Sequence, residues 1–531
     1  MDSHINPISP TTNNLIRAQY IVLLQIIGLC LILLIAIYLR FTNLPNNPAW
    51  YTDEGTHLSI AHHLLRGEVR YFAVTDSMLV FARPPLFHAC LAVVSAIFGE
   101  GIATLRGFTA GLGVLSVLLL FLLIKTFSRN PIFPLWGAFL LAIYPQAILY
   151  SRFGFSYALL TPLILLICLF LTRFIQTGRW NGVVLAGILA GIGLLGDIMM
   201  GAIIGVVAMI VFFKSPKMLL WLVPVMVLPF GVYAGMMLIS HPDAFLFDLN
   251  FTLNRLGGVP ITKQVNTIAE NFTMLLSTDL WFPLGIAGIF LIKPPALRVV
   301  SACLVLMPIV IIGRTVALFH LSLYYMSPLF PLIIVGVATL TAQGATMLMA
   351  SLTLMIPDLQ GIKKMPTWTH RLMAGALCVT LIGAPLWYSA QYMVNGINTR
   401  IPTAIDPFLV DGADGEAVVT FFQSVPTENM LILASPSIGW ALEIATSAQV
   451  ADWQMHVAYI GYDAIHLPHN LPHDRYAFIP TADRADYIVV DNIWRNWGNF
   501  HVPEALVLYN TVIAEWNLVF ESGTLAVYAR P

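Results

Sequence analysis

The chain has 531 residues, of which 58% are hydrophobic and 10% are charged, and its mean hydropathy is +0.81. Soluble domains carry about 25% charged residues, so this composition excludes a soluble cytosolic enzyme, a disordered chain and a nucleic-acid binder that works through a basic surface. The net charge of −1 hides a split, with a balance of +9 over residues 1–391 and −10 over residues 392–531. The split predicts a membrane body over 1–391 and an acidic extramembrane domain over 392–531, long enough to bury its own core.

A spanning helix needs about 20 mostly apolar residues. After a polar start up to Arg17, the first such stretch runs from Ile21 to Tyr38. No small-residue cleavage site follows it, so it is expected to be retained. Further stretches lie near 104–124, 132–150, 155–173, 181–198, 199–213, 218–239, 299–318, 323–349 and 372–391, with a shorter one at 279–292. The run from Pro84 to Gly99 is short and opens on two prolines, and is expected to be a juxtamembrane helix. This gives eleven spans. It places Arg17, Lys125, Arg129, Arg173, Arg179, Lys214, Lys217, Lys293, Arg298, Lys363, Lys364 and Arg371 on the cytoplasmic side, as the positive-inside rule asks. The N-terminus is then cytoplasmic. The C-terminal domain, the loop 40–103, the corner at Ser151-Arg152 and the loop 240–278 fall on the extracytoplasmic face of the plasma membrane.

The C-terminal domain reads as α/β. Met430–Ala434 and Tyr487–Asp491 are short β-like runs, Glu416–Gln423 is helical, and Leu518–Tyr528 is a hairpin turning at Ser522-Gly523. It holds no Gly-rich phosphate loop and no G-x-S-x-G elbow. The five cysteines, Cys30, Cys90, Cys168, Cys303 and Cys378, lie in apolar stretches without a C-x-x-C spacing. They read as small buried hydrophobes, not as a disulfide or zinc framework.

The loop 40–103 contains Trp50-Tyr-Thr-Asp53-Glu54-Gly-Thr-His57. Carboxylates at a water–lipid border are costly to desolvate and tend to be functional. Asp53 and Glu54 either supply a general base or simply begin a helix, or do both. Arg83, before Pro84-Pro85, suits a phosphate or a snorkelling role at headgroups. Arg152 closes the corner after the third span. Asp197 is placed to pair with an arginine such as Arg106 or Arg314, in a structural or a catalytic ion pair. His57, His62, His63 and His88 invite a metal, yet no HExxH-like spacing supports one. Tyr324 and Tyr325 form either an interfacial aromatic belt or the mouth of a lipid or sugar groove.

In this order the motifs resemble the membrane glycosyltransferases of the GT-C fold, family 39, which comprises protein O-mannosyltransferases and lipid A aminoarabinose transferases. They are one span, W-x-x-D-E with a downstream histidine, a basic residue before P-P-L, S-R-x-G after the third span, and a late Y-Y-x-x-P-L-x-P. The resemblance covers about residues 15–350, and the tail resembles the extracytoplasmic α/β domains of bacterial members. It implies Asp53 as base, Glu54 as its companion, and Arg83 and Arg152 at the donor phosphate. His57, His88, Asp197, Arg314, Tyr324 and Tyr325 would line the cavity. Relatives often carry an Asp about five residues after the corner arginine, where this chain has Tyr157.

The implied partners are a polyprenyl-phosphate sugar donor, a lipid, glycan or protein acceptor, and membrane lipid, with no nucleic acid and no assigned cofactor or divalent metal. The implied reaction transfers the sugar to an acceptor hydroxyl with inversion. A transporter or flippase of lipid-linked sugars is the alternative. It would be expected to show inverted repeats and broken midplane helices, which the sequence lacks.

Overall fold

The computed structural model describes residues 10–75, 83–257, 260–279, 281–293, 298–299, 301–306, 321–355, 409–464, 469–498 and 502–531, with single residues 383, 387 and 467. The membrane body opens with α1 (Pro10–Phe41), α2 (Thr52–Leu65), a two-stranded ribbon of β1 (Arg70–Tyr71) and β2 (Val74–Thr75), and α3 (Pro85–Phe98). There follow α4 (Ile102–Phe127), α5 (Ile132–Ile143), α6 (Pro145–Arg152), α7 (Tyr157–Thr177), α8 (Trp180–Leu194), α9 (Met200–Lys214) and α10 (Pro216–Ser240). The rest of the body comprises α11 (Pro242–Gly257), α12 (Ile261–Thr278), α13 (Trp281–Ile289), a 3₁₀ stretch Leu321–Leu329 and α14 (Phe330–Met355).

Among the described residues, five helical segments are long and apolar enough to cross a membrane: Gln19–Phe41, Ile102–Phe127, Tyr157–Thr177, Pro216–Ser240 and Tyr325–Gln343. Leu34 on α1 and Trp221 and Ile239 on α10 are exposed. So much bare apolar surface is at home in lipid. The expected single span 132–150 is instead a pair of helices bent by 56°. Pro145 has no N–H, disfavours a helical conformation at Tyr144, which is extended here with ψ 116°, and starts a new helix. The expected spans 181–198 and 199–213 are helices of 15 residues each, about 22 Å long. The expected loop 240–278 folds into α11 and α12. The stretch 84–99 is a 14-residue helix with a proline in its first turn, shorter than a full span needs. The segment 372–391, most of 299–318, and Arg314 lie outside the described residues.

The C-terminal domain contains α15 (Gly412–Gln423), β3 (Leu431–Leu433), α16 (Pro436–Ala445), β4 (Gln449–Ala451), α17 (Trp453–Tyr459), β5 (Tyr487–Val490), α18 (Pro503–Glu515), β6 (Asn517–Ser522) and β7 (Leu525–Ala529). Its sheet has the order β4-β3-β5-β7-β6, with β3, β4 and β5 parallel and β7 antiparallel to both its neighbours. The terminal hairpin turns where expected: Ser522 faces Leu525, and Gly523 takes φ 54°, which suits a residue without Cβ.

This domain and the segment between α1 and α4 share one core. Trp50, Leu58, Phe72, Val74, Phe87 and Leu105 cluster with Val410, Ile438, Trp440 and Leu442. Trp50 and Val410 exchange backbone hydrogen bonds of 2.7 and 3.0 Å. The Ala477 N–H donates to the Ala73 carbonyl at 2.8 Å. His63 on α2 lies 2.7 Å from Glu443 on α16. Helix α2 is therefore clamped between the membrane body and the sheet domain.

The closest approach is at Gly55, where a Cβ would stand 1.7 Å from the Pro436 carbonyl oxygen. A backbone carbonyl cannot swing aside, so Gly55→Ala must push α2 and α16 apart. We expect a loss of about 1–3 kcal/mol or more, by analogy with overpacked cores, and faster proteolytic release of the C-terminal domain. Unchanged proteolysis would show that the packing at this point is loose.

Candidate active site

Helix α2 starts as its sequence demands. Tyr51 is extended, Asp53 and Glu54 occupy the first turn, and the Glu54 Oε2 accepts the Tyr51 N–H at 3.1 Å. Acidic groups there complement the helix dipole. Successive side chains on a helix point about 100° apart, so the two adjacent carboxylates cannot face the same way.

Glu54 faces inward. It has no solvent exposure, and neither has its partner Arg106. Arg106 Nε and Nη2 donate to the two Glu54 oxygens at 2.8 and 2.7 Å, and the Gly154 N–H donates to Oε1 at 2.7 Å. Arg106 also donates to the carbonyls of Leu44, Pro45, Pro48 and Ala49 at 2.5–3.2 Å. Arg152 is buried too. Its two terminal nitrogens donate to the carbonyls of Leu39, Arg40, Thr42 and Asn47 at 2.8–3.3 Å. It therefore satisfies carbonyls at the end of α1 that have no helical partner. Sequence reasoning expected Glu54 beside the base and Arg152 at a phosphate. In the structure the charged atoms of both are hydrogen-bonded within the protein, Glu54 to Arg106 and Gly154 and Arg152 to backbone carbonyls, and these bonds brace the backbone that carries α2.

Asp53 faces the open side, where its side chain is 30% exposed. The Arg83 Nη2 lies 4.0 Å from its Oδ1, and the Arg83 side chain is 24% exposed. Burial raises the Asp53 pKa above the usual carboxylate value, the Arg83 charge works against this, and the Glu54 charge adds to it. Asp53, in the first turn of α2, and Arg83, in the bend before α3, are thus a partly open acid–cation pair 30 residues apart in the chain.

Two further carboxylates belong to this neighbourhood. Asp197, in the turn between α8 and α9, accepts the Met199 N–H at 2.7 Å and is hydrogen-bonded by Tyr157. Burial pushes its pKa up to about 6. Tyr157 feels the charges of Asp197, Asp53 and Arg83, and its ring meets that of Tyr325 at 5.1 Å. The position that carries a tyrosine instead of an aspartate therefore recruits one from another helix turn. The fourth acid is Asp452, just past β4 in the C-terminal domain. Burial first, then the nearby Asp491, raises its pKa to about 7, while hydrogen bonds from Gln454 and Tyr71 oppose the rise. Tyr71 in turn feels Asp452, Arg83 and Asp53. Sequence reasoning passed over Tyr71 and Asp452. The available signal was an acid at the carboxyl end of a parallel strand, where α/β sheets tend to place polar chemistry.

His57 and His88 are buried and face each other, with 2.9 Å between Nδ1 and Nε2. His62 and His63 lie further along α2 against Glu100, Glu68 and Glu443. Among the described residues no three His, Cys, Asp or Glu side chains are gathered as metal ligands would be. The Tyr324 side chain, like Arg314, lies outside the described residues.

Residues 82–241 match the family of dolichyl-phosphate-mannose-protein mannosyltransferases. No curated protein matches the chain in sequence. Among solved structures, the chain is similar to ArnT from Cupriavidus metallidurans bound to undecaprenyl phosphate, with TM-score 0.60, 15% identity, and 94% of this chain and 97% of that one covered. It is also similar to the oligosaccharyltransferase AglB from Archaeoglobus fulgidus in complex with an inhibitory peptide and a dolichol-phosphate. There the TM-score is 0.51 and the identity 14%, over 96% of this chain and 74% of that one. Fold and family match agree on one class, the GT-C membrane glycosyltransferases, and the chain has that fold.

The buried pair gives a direct test. Glu54→Gln or Arg106→Leu leaves its partner charged and dry, which costs about 3–5 kcal/mol and should lower the unfolding temperature in detergent sharply. Asp53→Asn should not destabilise. With its pKa raised in the folded state, ionised Asp53 costs stability at neutral pH, and the amide removes that cost. Equal destabilisation by all three variants would contradict the division of roles.

Proposed function

We propose that the chain is an integral plasma-membrane glycosyltransferase. In this reading it moves a sugar from a polyprenyl-phosphate donor to an acceptor hydroxyl on the extracytoplasmic face, with its N-terminus in the cytoplasm. The observation that carries the reading is the Asp53–Arg83 pair, half open at 4.0 Å, within a fold shared with a protein seen bound to undecaprenyl phosphate. A carboxylate beside a cation, both reachable from outside, is what a displacement at a sugar phosphate needs. The neighbours' lipid phosphates support a donor of the same chemistry.

The steps follow from these groups. The acceptor oxygen forms a bond to the anomeric carbon while its proton passes to Asp53. The bond from that carbon to the phosphate oxygen breaks, and the oxygen leaves with the electron pair. Arg83 offsets the charge that grows on the leaving phosphate, and such a fixed cation stabilises the transition state more than the ground state. Attack on the face opposite the phosphate inverts the anomeric centre. Burial makes Asp53 a stronger base than an ordinary carboxylate. Tyr157, hydrogen-bonded to Asp197, and Tyr71, hydrogen-bonded to Asp452, both feel the charges of Asp53 and Arg83, and in this reading they border the place where the sugar is held. Glu54 and Arg152 have no chemical step; they hold α2 and the end of α1.

The test uses purified protein with a panel of polyprenyl-phosphate sugars and mass analysis of the products. With the donor that reacts, Asp53→Asn should keep donor binding and lose transfer by at least about a hundredfold. Arg83→Ala should lose about as much. Transfer requires ionised Asp53, so the rate should fall as pH drops through an acid limb above the usual carboxylate range. In Arg83→Ala that limb should move to still higher pH, because the cation that lowers the Asp53 pKa is gone. Near-full activity of Asp53→Asn would overturn the assignment.

A further inference from the structure

We infer that His57 and His88 are positioning residues: their ring-to-ring hydrogen bond sets the distance between Asp53 and Arg83. The inference rests on the role proposed above for that pair and extends it to two side chains that touch neither substrate nor phosphate.

The geometry makes the link in two symmetrical steps. Asp53 and His57 are four residues apart on α2, one helical turn on the same face. On the other side, the His88 Nδ1 lies 3.3 Å from the Pro84 carbonyl, four residues back, and Arg83 is bonded directly to Pro84. Between them the His57 Nδ1 and His88 Nε2 stand 2.9 Å apart. Asp53 is therefore one turn from this bond on α2, Arg83 stands just ahead of α3 and is bonded to the residue that His88 contacts, and the bond joins α2 to α3. The surroundings allow little slack. The Phe87 ring meets His57 at 5.0 Å and Phe108 at 5.8 Å, and both histidines are buried.

The protonation pattern follows from the partners. The Pro84 carbonyl can only accept, so the His88 Nδ1 carries a hydrogen. Its Nε2 then accepts in the neutral ring, and the His57 Nδ1–H is the donor. In the neutral rings this is the one arrangement that also keeps the Pro84 contact; protonating His57 alone would leave the bond, and protonating both rings would break it. Burial, with the nearby Arg83 charge, keeps both rings neutral, pushing the His88 pKa down to about 3 and that of His57 well below its usual value. The pair is thus a strut between two buried rings that burial holds in the neutral form. Asp53 itself faces Arg83 from just ahead of α3, Glu54 from its own helix, and the hydroxyls of Tyr71 from β1 and Tyr157 from α7.

The experiment compares His88→Leu, which removes the acceptor, with His88→Gln, whose amide oxygen reaches the Nε2 position. Misplacing a reacting group by about 1 Å can cost about a hundredfold in rate. His88→Leu should therefore lower kcat by about tenfold to a hundredfold. It should also move the acid limb of the rate to higher pH, because Arg83 then stands further from Asp53. His88→Gln should restore both to within about threefold. A folded His88→Leu protein with an unmoved acid limb, or a His88→Gln protein no better than His88→Leu, would overturn the inference while leaving the Asp53 assignment standing. Activity of Asp53→Asn would overturn the assignment instead. Should His88→Leu fail to fold, nitrogen-15 spectra of the histidine rings in the wild-type protein at pH 6, assigned with His57→Asn and His88→Gln, decide the question. A neutral His88 ring with its hydrogen on Nδ1 and an accepting Nε2 supports the strut, and a His88 ring with its hydrogen on Nε2 alone, or both rings protonated, overturns it.

Discussion

Two full charges shut away from solvent, Glu54 and Arg106, are the interaction on which the arrangement of this chain depends. Neither can be buried alone without a penalty of several kcal/mol. Together, with the Gly154 N–H on the carboxylate and the carbonyls of Leu44, Pro45, Pro48 and Ala49 on the guanidinium, they fill each other's bonding capacity. The pair ties α2 to α4 and both to the turn before α7. It also fixes the rotation of α2, since Glu54 has one direction in which it is satisfied.

That rotation decides what Asp53 can do. One residue earlier and about 100° round the helix, it is turned out of the protein interior towards Arg83. Two adjacent carboxylates thus divide the work, one structural and dry, the other partly open and available for proton transfer. The same division separates the arginines. Arg106 is spent on Glu54 and backbone carbonyls and Arg152 on backbone carbonyls, while Arg83 stays partly exposed beside Asp53. The C-terminal domain belongs to this scheme as more than an appendage. It shares a core with the loop that carries α2, presses on Gly55, and brings Asp452 to Tyr71.

Much of this was legible in the sequence where a local rule governs the outcome. The apolar runs of α1, α4, α7 and α10 are long enough to read directly, the two prolines start α3, and the Ser522-Gly523 turn joins two β-like runs. Asp53 and Arg83 stand beside motifs short enough to see. The rest depends on partners far apart in the chain. Glu54 turns inward because of Arg106, 52 residues on, and no neighbouring residue announces it. Arg152 reads as the outer corner of a span, and its carbonyl partners 105–113 residues earlier show only once α1 and the turn after it are placed beside it. Tyr71 sits on a strand of two residues and Asp452 just past one of three, too short to show an alternation. The bend at Pro145 was available to a reading by sequence, but the apolar run around it hid the break.

The central claim is a direct displacement at the sugar's anomeric carbon, with Asp53 activating the acceptor and Arg83 receiving the leaving phosphate. The configuration of the transferred sugar tests it most directly. Nuclear magnetic resonance of the product, from a donor of known anomeric configuration, should show inversion. Retention of the donor's configuration would require a covalent sugar intermediate and a second displacement, and would contradict the account.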